Sequence, residues 1–359
     1  MTGILDKRVC SNCAGASLGR YIKLHGENDI CDYCGKNKNP VISIDELLPR
    51  MYESWGVYYS NYDDSFFSDD FRTPYYVSDI INDDLVELTD ANDFFLNDLC
   101  ELPEDRRWQK DSEYWTSFQE ALKSSWERFC IIVKKQWRYT YFLCGKDELD
   151  PATYSPIDTM KIICELIQAK DSFIKELRTK TAIFRTRKDN KNFEINAKEL
   201  GTAPEKYAKA NRFSPKGIPM FYGSLDEKTC IKEATGKGTY ITTGEFRTSK
   251  PIKILDLTNL PSIPKLYDDD FVFIPALEFL RDFSKNISKE VKNDELDYIP
   301  TQVFTEYIRL QGLQKLNIKG ILYNSSKNIG GKNVVLFYTN EECKDKDDGS
   351  DCLVLNKIF

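Results

Sequence analysis

Residues 211–233, NRFSPKGIPMFYGSLDEKTCIKE, gather Arg212, Tyr222 and Glu233 around glycine-flanked turns. A guanidinium matches phosphate oxygens in pairs, a tyrosine offers an aromatic face and a hydroxyl, and a carboxylate holds ribose hydroxyls or steadies positive charge. A second segment, GILYNSSKNIGGKNVVLF over 320–337, sets Ser325 and the adjacent Ser326 on a tight turn between two apolar strands. Upstream, the run FRTR adds Arg185 and Arg187. Arg185, Arg187, Arg212, Tyr222, Glu233 and Ser325 together are the parts that breaking a dinucleotide glycosidic bond requires, and they predict a pocket for an anionic, sugar-bearing ligand. Taken singly, each has a plain structural role: Arg185 as a surface strand residue, Tyr222 as a half-buried core residue, Glu233 as a solvated helix residue.

Cys10-x2-Cys13 and Cys31-x2-Cys34 form a second constellation, with seventeen residues between the pairs. This spacing fits a four-cysteine zinc knuckle or ribbon, in which each C-x2-C turn presents two thiolates about 2.3 Å from the metal. Four protein ligands close the coordination sphere, so the expected zinc is structural. The other seven cysteines are scattered without framework spacing, as expected of reduced thiols. His25 is the chain's only histidine. A Ser-His-Asp triad or a histidine-rich metal centre is therefore excluded unless it uses His25, and so is a nuclease built on an arginine and a histidine.

The formal net charge of -7 hides a segregated distribution. Residues 45–105 hold 17 Asp and Glu against Arg50 and Arg72, a field that repels a phosphate backbone. Residues 176–216 hold 11 Lys and Arg against 5 Asp and Glu, where the candidate site begins. A small anion bound at one place fits this pattern better than a nucleic-acid track. No apolar run approaches the roughly 20 residues that cross a bilayer, and residues 1–10 lack the apolar centre of a signal peptide. The expected location is the cytoplasm, without a membrane partner.

The elements that position these groups follow from periodicity. Residues 1–40 are short of apolar side chains and cannot form a conventional core, so something else must hold them. Residues 41–178 read as mostly helical. Trp115, Phe118, Leu122, Trp126, Phe129, Val133 and Trp137 recur at three and four residues, and Ser155 with Pro156 opens a helix bearing Ile157, Met160, Ile163 and Ile167. From 179 to 359 the pattern changes to short β-type runs, AIFR, PMFYG, IKILDL, GILY and NVVLFY, mixed with helices. Ser224 and Glu227 have capping-box spacing for a helix from Leu225 that carries Glu233 and stops at Gly236. A further helix opens at Pro300 with Phe304 and Ile308 inward, and the charged stretch 341–351 reads as a solvated loop. Gly236-Lys237-Gly238-Thr239 lacks the full phosphate-loop pattern and its preceding strand, so a P-loop is rejected.

Over residues 182–338 the ordered series FRTR, NRFSPKGIPMFYGSLDEKTCIKE, LDLTNLP, PTQVFTEYIR and GILYNSSKNIGGKNVVLF resembles the RES domain family, in the subgroup that places a zinc-binding HEPN/RES N-terminal region ahead of it. The resemblance implies a multidomain chain: a four-cysteine zinc module, a helical HEPN/RES N-terminal domain, then a mixed α/β RES domain similar in fold to ADP-ribosyltransferases. It implies NAD as substrate, and a hydrolase-like toxin or defence effector silenced by an antitoxin or regulatory protein. Arg212, with Arg185 or Arg187, would hold the pyrophosphate. Tyr222 would pack on the nicotinamide or its ribose, Ser325 or its neighbour Ser326 would orient the ligand, and Glu233 would be the central carboxylate. Rival readings are ADP-ribosyl transfer to a macromolecule and a catalytically silent, zinc-dependent interaction protein. The acceptor, the activating stimulus and any homo-oligomeric state stay open at this level.

Overall fold

The computed structural model describes residues 3–64, 73–83, 86–102, 106–110, 118–147, 153–189, 195–234, 240–289 and 294–359. Trp115, the side chain of Phe118, the expected helix stop at Gly236 and the run 236–239 lie outside them. Two compact units account for the chain, one gathering Met1–Ala121 with Ser262–Glu278, the other Leu122–Pro261 with Phe279–Phe359.

In the first unit, β1 (Arg8–Cys10), β2 (Glu27–Asp29) and β3 (Asn39–Ser43) form a small antiparallel sheet in the order β1-β3-β2. Helix α1 (Ala16–His25) connects β1 to β2, and α2 (Ile44–Trp55) follows β3 directly. Ser43 starts α2 with a reciprocal cap: its hydroxyl accepts from the Glu46 amide, and the Glu46 carboxylate accepts from the Ser43 amide, both at 3.3 Å. Helices α3 (Val77–Ile81) and α4 (Asp93–Cys100) and the paired strands β4 (Tyr59–Asn61) and β5 (Trp108–Lys110) complete the unit. Val9, Leu18 and Ile22 are buried in one cluster with Ile44, Leu47, Met51, Trp55 and Phe95. The first forty residues therefore do not depend on a metal alone, as their composition suggests. Their few apolar side chains suffice because they join a core supplied mainly by the helices that follow.

The second unit is built on a nine-stranded mixed sheet. Its strands are β6 (Ile174–Leu177), β7 (Ala182–Asp189), β8 (Phe221–Ser224), β9 (Tyr240–Thr248), β10 (Ile252–Asp256), β11 (Ile318–Asn324), β12 (Lys332–Leu336), β13 (Cys343–Lys344) and β14 (Leu353–Ile358). They run in the order β13-β14-β9-β7-β8-β12-β11-β10-β6, with β10–β11 and β13–β14 parallel and the other pairs antiparallel. The five expected β-runs all lie in this sheet. Strand β6, from the stretch read as helical, forms one edge. The charged stretch 341–351 is mostly exposed, but it contributes β13 and buries Cys343.

Helix α5 (Phe118–Lys135) buries Leu122, Trp126, Phe129 and Val133. Trp137 falls beyond the helix end and is largely exposed. Helix α6 (Pro156–Gln168) starts at Ser155, whose hydroxyl accepts from the Asp158 amide, and it buries Met160, Ile163 and Ile167. Helix α7 (Glu227–Glu233) follows β8. Phe283 of α8 (Ile274–Ser288) and Phe304 of α9 (Ile299–Tyr307) meet Trp126 edge-on, at 4.8 and 6.2 Å between ring centres. No helix among the described residues is long and apolar enough to cross a membrane.

Candidate functional site

Strand β8 hands the chain to α7 through a two-residue turn. Asp226 caps the helix, its carboxylate accepting from the Thr229 amide at 2.8 Å. The cap is thus two residues later than the Ser224–Glu227 spacing suggests. Ser224 is still in the strand, paired with Asn333 of β12, and its hydroxyl is spent on the Asn333 side-chain oxygen at 2.7 Å. Close packing of β7 makes the strand's glycine necessary, because a Cβ at Gly223 would lie 2.7 Å from the Phe184 carbonyl oxygen.

Glu233, the last residue of α7, is half-buried. Its Oε1 accepts from the Ser325 hydroxyl at 2.5 Å and from the Asn333 side-chain amide at 2.8 Å. Ser325 is fixed in turn, since its Oγ accepts from the amides of Lys327 and Asn328 at 3.2 and 3.0 Å. Of the two adjacent serines it is Ser325 that meets the glutamate, whereas Ser326 is exposed.

Tyr222 points to the loop before β8. Its hydroxyl accepts from the Phe213 amide at 3.2 Å and lies 2.9 Å from the Ser214 hydroxyl. Burial pushes its phenol pKa up to about 12, so it serves at neutral pH as a neutral hydrogen-bonding group. Tyr323 of β11 pairs with Asn333, which pairs in turn with Ser224 of β8. The Tyr323 ring packs on Phe213 at 4.8 Å, and burial drives its phenol pKa upward. Arg212 lies 5.3 Å from the Tyr298 ring and donates to the carbonyls of Ile287 and Lys289, the latter at 2.6 Å. Its loop is held by α9, where the Gln302 amide donates to the carbonyls of Asn211 and Ser214 at 2.7 and 3.2 Å.

The two upstream arginines part ways. Arg185 is half-buried, its guanidinium donating to the carbonyls of Leu200 at 2.8 Å and Tyr222 at 2.6 Å, with the Phe221 ring 5.3 Å away. Burial lowers its pKa from the ordinary value. Arg187 is directed to Glu199, bonding its carbonyl at 2.9 Å and its carboxylate at 3.0 Å. Glu233 and Ser325 are thus joined directly, Tyr222 is bonded to the loop that carries Arg212, Arg185 donates to the Tyr222 carbonyl, and Arg187 bonds Glu199. Asn333, Tyr323 and Ser214 complete the group without having been singled out in the sequence. Only the polar residue opening the apolar run NVVLF hinted at the first.

In the other unit, the sulfurs of Cys10, Cys13, Cys31 and Cys34 lie within 4.8 Å of one another. A tetrahedral ion with bonds of about 2.3 Å separates its sulfur ligands by about 3.8 Å. Cys10 and Cys34 stand 3.8 Å apart. The Cys10 amide also points at the Cys31 sulfur, 3.3 Å away, a donor suited to a metal-bound sulfur. The cluster therefore fits one metal ion by donor type and by size. His25 takes no part, since it pairs with Asp269 and packs on Tyr21.

Two family models match this chain: HEPN/RES N-terminal domain 1 over residues 25–147, and the RES domain over residues 182–351. The chain thus carries a RES domain preceded by a HEPN/RES N-terminal domain. The RES match contains every member of the site from Arg185 to Asn333, and the N-terminal match includes Cys31 and Cys34 but begins after Cys10 and Cys13. No curated protein matches the chain.

Proposed function

We propose that this protein degrades NAD by cleaving its nicotinamide–ribose bond, with water or phosphate as acceptor, and that it acts as a toxin or defence effector. The observation that carries this reading is the Glu233 carboxylate held by two donors, Ser325 and Asn333, within the RES domain. Nicotinamide leaves a cationic ring as a neutral group, so the ribose passes through an oxocarbenium-like state. A carboxylate held by fixed donors stabilises that state without having to reorganise. Glu233 supplies the charge and holds ribose hydroxyls, Tyr222 and Tyr323 give the ring faces for nicotinamide and ribose, Ser325 orients the carboxylate, and Arg212 supplies positive charge for the pyrophosphate. Arg185 we assign to bracing β8 from behind, in place of the pyrophosphate contact that the resemblance implied. An ADP-ribosyltransferase-like fold, a silencing antitoxin and a cytoplasmic site of action belong to the same reading. The four cysteines would hold a structural zinc, which supplies fold stability and no open coordination position.

The test is nicotinamide release from NAD by the wild type and by Glu233→Ala. Loss of a preorganised charge lowers turnover by about 10² to 10³. Equal rates from the two proteins would end the enzymatic reading. Dependence on phosphate separates phosphorolysis from hydrolysis, and label retained on protein or nucleic acid would indicate transfer instead.

A further inference from the structure

We propose that Asn333 is a positioning residue of this site, which with Ser325 clamps Oε1 of Glu233 and so fixes Oε2 as the oxygen that meets the ribose. This rests on the NAD-cleaving reading given above. Asn333 is the second residue of β12 and only 4% exposed, in a position where an apolar side chain would pack more simply. Its backbone pairs with Tyr323 on one side and Ser224 on the other, so these three residues form one row across β11, β12 and β8. Cross-strand partners project to the same face of a sheet, which brings Asn333 beside the glutamate.

The direction of the amide is set by its second partner. The Ser224 hydroxyl, on a residue 1% exposed, donates to Oδ1 of Asn333 at 2.7 Å. That leaves Nδ2 to donate to Oε1 of Glu233 at 2.8 Å, the oxygen that Ser325 also reaches at 2.5 Å. Two donors on one oxygen stop the carboxylate from rotating. No hydrogen bond from the described residues falls on Oε2, whose lone pairs stay available for a ligand hydroxyl or a developing cation. Ser224, buried and remote from the ligand, acts through Asn333.

Asn333→Asp and Asn333→Ala, assayed for nicotinamide release beside the wild type and Glu233→Ala, test the assignment, with thermal melting to establish that each variant is folded. In Asn333→Asp the donor becomes a carboxylate within hydrogen-bond reach of Glu233. Like charges that close resist joint ionisation, so the acid limb of the kcat/KM profile should move up by about one pH unit or more. The phenols of Tyr222 and Tyr323 are both pushed upward by burial and stay protonated across this window. In Asn333→Ala, kcat should fall about tenfold with KM within about twofold, as for a group that aligns the charge without touching substrate. An unmoved acid limb, while Glu233→Ala is inactive in the same assay, overturns the positioning role. Should Asn333→Asp fail to fold, Asn333→Ala decides, and a raised KM with unchanged kcat overturns it equally. A wild type no faster than Glu233→Ala refutes the NAD reading first and takes the role of Asn333 with it.

Discussion

Replacing Arg185 by methionine separates a structural brace from a ligand contact. Its guanidinium donates to the carbonyls of Leu200 and Tyr222 at 2.8 and 2.6 Å in a half-buried setting. A hydrogen bond from a charged donor contributes about 1.5–3 kcal/mol, so two give about 3–6 kcal/mol. Methionine relieves the cost of burying the cation and keeps contact with Phe221, offsetting part of the loss, but it leaves both carbonyls without this donor. The net destabilisation should be about 2–4 kcal/mol. For a unit of this size, a midpoint shift of about 2–4 °C per kcal/mol gives a drop of roughly 5–15 °C. Calorimetry measures the drop, and steady-state kinetics well below the new midpoint measures what remains. A brace predicts a large fall in Tm with KM for NAD raised no more than about threefold. A Tm within about 1 °C of wild type together with a tenfold higher KM would refute this reasoning and return Arg185 to the pyrophosphate. Arg185→Lys should recover little of the loss, because one ammonium does not reproduce a planar fork aimed at two carbonyls.

Two further outcomes are expected. In Cys10→Ser/Cys31→Ser, zinc measured by elemental analysis should fall from about one equivalent to background, and a chelator should lower the melting temperature of the wild type but not of this variant; unchanged zinc defeats the four-thiolate assignment. Ser155→Ala should destabilise the chain by about 1 kcal/mol in urea titration through loss of the α6 cap. The Ser155 hydroxyl also holds the Asp158 carboxyl below its ordinary pKa. The linked stabilisation is complete above the ordinary carboxylate value and is lost as pH falls through the depressed one, so the variant should lose this part of the acid dependence. A variant that keeps the wild-type acid slope would count against it.

The elements were legible where periodicity or capping chemistry is local. Ser155 and Pro156 mark the start of α6 because both act within one turn, and the spacing from Leu122 to Val133 follows a helix face. Two kinds of signal misled. Ser224 has the right spacing for a cap, yet the strand pairing of β8 with β12 claims it, and the helix starts after Asp226 instead. The first forty residues look coreless because hydrophobic content was judged by segment, whereas Leu18 and Ile22 bury against residues supplied by α2 and α4.

Arg185 and Asn333 show why residue type reveals a site more readily than it assigns roles within it. The arginine was singled out because guanidinium suits phosphate. Its neighbours turn out to be carbonyls of its own unit, a fact that depends on where residues 200 and 222 are brought by the fold. Asn333 is in sequence only the first letter of the apolar run NVVLFY, but sheet order places β12 between β8 and β11 and thereby sets the residue between Ser224 and Tyr323. Short polar side chains in strands gain their meaning from cross-strand register, which no linear spacing encodes. Glu233 and Ser325 could be recognised by their place beside turns. The donor that orients the carboxylate becomes visible only when β8 is laid beside β12 and β11, two strands about a hundred residues further along the chain.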